Sequence, residues 1–362
     1  MLMRIVLLFA IIILLNSCNT KSSSHSSDLD KIFDSVFKAT EPGGAILIAK
    51  DGKIIYEKGF GVEDITTKKT IDNNTLFNVG SISKTFVAFG ILQLAKENKL
   101  SIDDDIYKYF PDFKDSSLAK KIKIHHLLTH SSGLPDIRNV EGDNAFYLTA
   151  KDEENWAPIK KADSLEFQPG ERFNYSNPAF NGLALIIEKI SGMKWQEYIK
   201  KNIMEPAGMK TSTITDGPYP ESGVSHGYLF DGKNYFEKDY GEEPTFAASG
   251  NGGVWSSVNE LWKYEQAIQK NIFLDSVWTK RSRSVYDFSN WKDSLPPFIG
   301  LSWFITKTSN ENMIGHTGSQ GGFRADYVWL PDKKIFYVIL CNTSKPLSQI
   351  RNKVLAVALK EQ

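Results

Sequence analysis

The chain is poor in cysteine: two in 362 residues, Cys18 and Cys341, so its fold cannot rest on a framework of disulfides. It also lacks an excess of either charge. Lys and Arg number 43 and Asp and Glu number 43, which gives no global field favouring phosphate backbones, and nucleic acid is not an expected partner. The six histidines and the carboxylates show no HExxH or paired ligand spacing, so neither a metal nor any other cofactor is expected. The acidic run Asp103–Asp105 lacks the spaced ligands and Glu of a calcium loop and reads as a solvated turn. No internal repeat is visible, and the apolar run Ile5–Leu15 is too short to cross a bilayer. Hydrophobic residues at 41% and charged residues at 24% are ordinary globular values, and the length admits one large core or two lobes.

What is present begins with that run. Arg4 followed by Ile5–Leu15 suits a secretory signal, so residues 1–17 are expected to be a signal peptide. The next residues, Leu15-Asn16-Ser17-Cys18, resemble the bacterial lipobox, although Asn16 stands where that motif has a small or apolar residue. The resemblance implies an exported lipoprotein on the periplasmic or outer face of the cell envelope, held to a membrane by lipid on Cys18. The alternative is an ordinary signal with Cys18 incidental. Ser-rich Thr20–Ser27 completes an expected anchor and tether over 18–27, with the folded domain over 28–362. Cys341, inside Ile335–Cys341, reads as a buried small hydrophobe.

Helical spacing of Leu29, Ile32, Phe33, Val36 and Phe37 predicts a helix over Leu29–Ala39. Ala45–Lys50, Asp51-Gly52 and Lys53–Glu57 predict a type I′ hairpin. A mostly apolar helix should run from Ser81 to Glu97, and further helices over Asn181–Ile190, Trp195–Ile203 and Ser257–Ile268, the last opened by a capping box with Glu260. Strand signals return at Phe298–Lys307, Asn312–Thr317, Phe323–Leu330 and Ile335–Cys341, before a last helix over Leu347–Lys360. The expected fold class is α/β (α+β). An antiparallel sheet drawn from about 28–80 and 298–362 would be flanked by N- and C-terminal helices, with a mostly helical lobe, 81–297, inserted.

Ser81-Ile82-Ser83-Lys84 opens the helix of the inserted lobe, and residues three apart on a helix share a face. A serine hydroxyl becomes a good nucleophile when a base takes its proton, and a desolvated lysine has a pKa low enough to serve. A helix N-terminus adds N–H groups where an oxyanion would form. Alone, the four-residue pattern is common and reads first as a cap beside a solvated lysine.

Ser81-x-x-Lys84, Tyr175-Ser176-Asn177 and His316-Thr317-Gly318 together resemble the three ordered motifs of penicillin-recognising serine hydrolases. The group concerned contains class C β-lactamases, serine DD-peptidases, D-aminopeptidases and esterases. Leu127–Pro135, Phe167–Gly170, Gly250–Gly253 and Gly321–Phe323 resemble that group as well. The resemblance implies a β-lactamase/transpeptidase-like fold, Ser81 as the acylated nucleophile, Lys84 as its proton-transfer partner and Tyr175 as the second proton-transfer group. It makes Asn177, His316, Thr317 and Gly318 substrate-binding, and the backbone N–H groups of Ser81 and Ser319 the oxyanion hole. A tyrosine, with an ordinary pKa of about 10, would need a neighbouring cation to act as a base, and Lys84 would supply it. The plainer readings are a core aromatic for Tyr175 and a turn residue for Asn177.

His316 stands where β-lactamases of the group have Lys, which removes a permanent positive charge at neutral pH. Arg324 is a candidate replacement; its plainer reading is an exposed strand arginine. His130 reads as a structural hydrogen-bonder, and His125 and His126 carry no assigned role. The expected function is an exported serine hydrolase acting through a Ser81 acyl-enzyme on a small-molecule or peptide amide or ester, foremost a D-amino-acid peptide of the cell-wall type. A small-ester hydrolase, a weak β-lactamase and a non-turnover penicillin- or peptidoglycan-binding sensor are the alternatives.

Overall fold

The computed structural model describes residues 20–140, 143–217, 219–220, 222–237, 246–307 and 312–359. The apolar run Ile5–Leu15 and Cys18 lie outside the described residues. Among the described residues no helix is long and apolar enough to cross a membrane.

Six strands form the main sheet: β1 (Gly44–Lys50), β2 (Lys53–Phe60), β3 (Phe304–Lys307), β4 (Asn312–Gln320), β5 (Phe323–Leu330) and β6 (Ile335–Cys341). Their order is β2-β1-β6-β5-β4-β3, and every neighbouring pair is antiparallel. The N-terminal hairpin therefore pairs through β1 with the last strand. The β1–β2 turn has Asp51 at φ 51° and Gly52 at φ 79°, the two positive values a type I′ turn needs.

Strand alternation sorts the core into two layers. One face of the sheet packs Ile46, Ile48, Tyr337 and Ile339 against Leu29 and Phe33 of α1 (Thr20–Asp34) and Ile350 and Val354 of α6 (Leu347–Ala358). The other packs Leu47, Phe336, Val338 and Leu340 into the larger core. This core holds α2 (Ser83–Lys96), α3 (Asp152–Ile159), α4 (Asn177–Ser191) and α5 (Val258–Gln269). Cys341 is fully buried, and burial pushes its thiol up to about 12, which makes it an inert hydrophobe.

Several boundaries differ from expectation. The first helix is α1, which begins inside the Ser-rich stretch read as a tether and ends five residues before Ala39. Strand β3 starts at Phe304 instead of Phe298, because Ser302 at φ 75° and a Gly300 N–H bond to the Trp303 carbonyl (2.8 Å) turn the chain back first. β4 continues past Thr317 to Gln320, and α4 begins four residues before Asn181, capped by the Ser176 hydroxyl on the Ala179 N–H (3.3 Å). Trp195–Ile203 is an α-turn, Trp195–Ile199, that widens to π geometry over Lys200–Met204. Ser257 caps α5 through the Glu260 N–H, yet the Glu260 carboxylate accepts from Thr211 N–H (3.0 Å) and Lys263 instead of closing the box.

Candidate active site

A single 3₁₀ turn, Gly80–Ile82, carries Ser81 into α2. Gly80 holds φ 53°, and a methyl there would stand 2.6 Å from the Ser319 nitrogen; a side chain on Gly318 would collide with the Val79 carbonyl. Two side-chain-free positions thus let β4 lie directly on the Ser81 turn, bringing the backbone of Ser319 beside that of Ser81.

Lys84, fully buried, places its Nζ 3.0 Å from Ser81 Oγ and donates to the Asn251 carbonyl at 2.7 Å. Among the described residues it makes no ion pair, and its Nζ lies 5.1 Å from the centroid of the Tyr175 ring. Desolvation, followed by the nearby Arg138 guanidinium, drives its pKa well below the ordinary lysine value. The free amine is thereby accessible as a proton acceptor.

Tyr175 keeps 38% of its surface exposed, yet burial of its hydroxyl, which meets the Ser81 side chain, pushes its pKa up to about 12. Both shifts run against the expectation that Lys84 would lend Tyr175 a cation and make it a base, because burial disfavours the charged form of the lysine and of the tyrosine alike. Tyr175 stacks on His130 at 4.3 Å between centroids. His130, at φ 53°, accepts the Ser176 N–H at Nδ1 (3.0 Å) and is held neutral by burial, which fits the structural role expected of it. His125 and His126 lie on the turn Ile124–Leu128, where His125 pairs with Asp103 (3.0 Å) and stacks on Tyr286.

The third motif lies on β4 with Thr317 and Ser319 exposed and His316 and Gly318 buried. Burial, then the neighbouring Lys84, depresses His316 to about 3; its Nδ1 lies 2.7 Å from the Thr317 carbonyl, so the ring is neutral and donates there. Among the described residues its Nε2 is buried without a hydrogen-bond partner. A cleft of ≈ 370 Å³ on one side of Ser81 is lined by Tyr147, Asn177, Asn251, Ser319 and Arg324. A second of ≈ 540 Å³ is lined by Tyr175, His316, Thr317, Arg324 and Lys345. Arg324, cross-strand partner of Ser319, borders both and is half-buried, so the reading as a merely exposed strand residue does not hold.

Missed by sequence reasoning was a buried polar cluster beneath Lys84, formed by Asp152, Asn181, Ser249 and Asn251. Each of these residues taken alone is unremarkable for a helix start or a Gly-rich loop, and no spacing connects them.

The arrangement has known counterparts. The sequence model of the Beta-lactamase family matches residues 29–360. A penicillin-binding protein of Bacillus subtilis is 27% identical over 87% of this chain and 71% of its own length. A D-aminopeptidase of Brucella anthropi is 25% identical over 88% of this chain but only 59% of its own length. The solved octameric penicillin-binding protein homologue of Pyrococcus abyssi superposes with a TM-score of 0.76 at 30% identity, covering 94% of this chain and 77% of that one. On the strength of the match over nearly its whole folded length, the chain belongs to the β-lactamase family of serine hydrolases.

Proposed function

We propose that the protein hydrolyses the amide of a D-amino-acid peptide through an acyl-enzyme on Ser81. The observation that carries this reading is the buried, unpaired Lys84 amine 3.0 Å from Ser81 Oγ. Lys84 accepts the hydroxyl proton as Oγ attacks the carbonyl. The oxyanion is stabilised by the adjacent backbone N–H groups of Ser81 and Ser319. Tyr175, which retains its proton, donates to the departing amine and is reprotonated from Lys84; water then takes the acyl group from Ser81. The relatives named above include a D-aminopeptidase and penicillin-binding proteins, which favours the D-amino-acid class over a general ester.

The test is turnover of chromogenic D- and L-amino-acid anilides, a short ester and a cephalosporin, with mass spectrometry of the intact protein. Expected is catalytic release from the D-anilide, abolished in Ser81→Ala. A Ser81→Ala protein with full activity would falsify the mechanism. A Ser81 adduct that persists without multiple turnovers on every substrate would instead identify a sensor.

A further inference from the structure

Beneath the Ser81–Lys84 pair runs a chain of buried polar groups that ends in a carboxylate. Asp152, at the start of α3, is only 5% exposed. Its Oδ1 accepts from the Gly250 N–H at 2.8 Å and from the Asn181 side-chain amide at 2.7 Å, and its carboxyl also receives a hydrogen bond from the Trp195 side chain. All three partners are donors, and no cation is among them, so the site is shaped for an acceptor. An unpaired carboxylate in a core is a costly way to fill space that an apolar side chain could occupy.

The positions of its partners give that cost a purpose. Gly250 and Asn251 are consecutive. Asp152 fixes the Gly250 nitrogen, while the Asn251 side chain is fixed by Asn181 Oδ1 (3.1 Å) and Ser249 Oγ (3.1 Å). Asn181 donates to Ser249 Oγ as well, at 2.7 Å, closing the cluster. The loop has no slack: a methyl on Gly250 would stand 2.6 Å from the Ala184 Cβ of α4. The carbonyl of Asn251, held in this way, is the group that receives Lys84 Nζ.

We propose that Asp152 is a positioning residue for the hydrolytic centre, anchoring the Gly250-Asn251 segment so that the Asn251 carbonyl aims the Lys84 amine at Ser81 Oγ. It touches neither substrate nor nucleophile. This inference rests on the reading of Lys84 as the proton acceptor for Ser81. A misplacement of about 1 Å in such a pair costs on the order of 10²-fold in rate.

The probe is a fluorophosphonate, which reports the nucleophilicity of Ser81 without regard to the natural substrate: Oγ bonds to phosphorus, fluoride leaves and Lys84 takes the proton. Wild type, Ser81→Ala, Asp152→Ala, Asp152→Asn and Ser249→Ala are compared by saturation kinetics, with melting curves to show that each is folded. Asp152→Ala should lower the maximal labelling rate about 100-fold with the half-saturating concentration within about twofold of wild type. Asp152→Asn should recover part of it, to about a tenth of wild type, because its Oδ1 still accepts from Gly250 and Asn181 while its NH₂ opposes the indole donor. Ser249→Ala, which removes the bonds to Asn251 and from Asn181 but leaves the Asp152–Gly250 anchor, should fall between wild type and Asp152→Ala. Should Asp152→Ala fail to fold, Asp152→Asn and Ser249→Ala decide. Folded Asp152 and Ser249 variants that label at the wild-type rate overturn the proposal while leaving Ser81 as the nucleophile. Labelling of wild type no faster than Ser81→Ala overturns the reading of Ser81 and this inference with it.

Discussion

At the scale of single residues, the surroundings of Lys84 and His316 disfavour the charged form of each. Lys84 is desolvated and unpaired, and His316 is buried beside it, so both are shifted toward their neutral forms. Arg324 cannot be neutralised in the same way, because even with its pKa lowered by burial a guanidinium stays protonated. Its Nη1 donates to the Gly321 and Phe323 carbonyls, and among the described residues it forms no ion pair. It is therefore the fixed cation of the ≈ 370 Å³ cleft, available to a carboxylate on the substrate. Arg324→Ala should raise KM for anilides bearing a free carboxylate about 10- to 100-fold, the loss expected for one charge-assisted hydrogen-bonded pair. KM for an uncharged ester should stay the same. Steady-state kinetics on the two substrates side by side decide it; an equal rise in both would mean that Arg324 only shapes the cleft.

At the scale of elements, the centre depends on β4 touching the Ser81 turn. Gly80→Ala places a methyl against the Ser319 nitrogen at a residue that already needs φ 53°. It should push β4 off the turn and lower kcat about 100-fold or more, as loss of an oxyanion donor does, while Ser81 and Lys84 remain in place. Unchanged kcat in a folded Gly80→Ala protein would remove Ser319 from the oxyanion hole. The hairpin and the last strand were legible because each has a local signature, Asp51-Gly52 at the turn, where both residues take positive φ, and an apolar run in β6, whereas the three motifs were legible only together, through their resemblance to a family pattern. What was not legible depends on pairing across sequence distance. The neutral state of His316 follows from its burial beside Lys84, and the role of Arg324 follows from its register with Ser319, neither of which a single sequence contains. The Asp152 cluster joins α3, α4 and a loop nearly a hundred residues away, and its members hide among ordinary helix and turn residues. Strand β3 was overextended because Phe298–Trp303 has strand composition but is turned back by Ser302.

At the scale of the whole molecule, these buried groups give folding stability two opposed dependences on pH. His316, 3% exposed and with a folded pKa of about 3, stays neutral where the unfolded chain, titrating near 6.5, takes up a proton. Its contribution is therefore present above about 6.5 and is lost as pH falls toward the folded value. Asp152, raised to about 7 by burial with a smaller push from Glu188, has the opposite sign. Its contribution is present below the unfolded value near 3.9 and is lost as pH rises through about 7. Between pH 5 and 8 each term amounts to about 2 to 3 kcal/mol at 1.36 kcal/mol per unit, and in the wild-type protein they largely offset one another. Relative to wild type, the melting temperature of His316→Gln should become less favourable from pH 5 to pH 8, and that of Asp152→Asn more favourable over the same interval. Calorimetry of the three proteins at both pH values measures this directly. Differences that run parallel for the two variants would show that their titrations do not shape stability, whereas opposite tilts would mark Asp152 as a group that costs stability above neutral pH and is kept for what it does beneath Lys84.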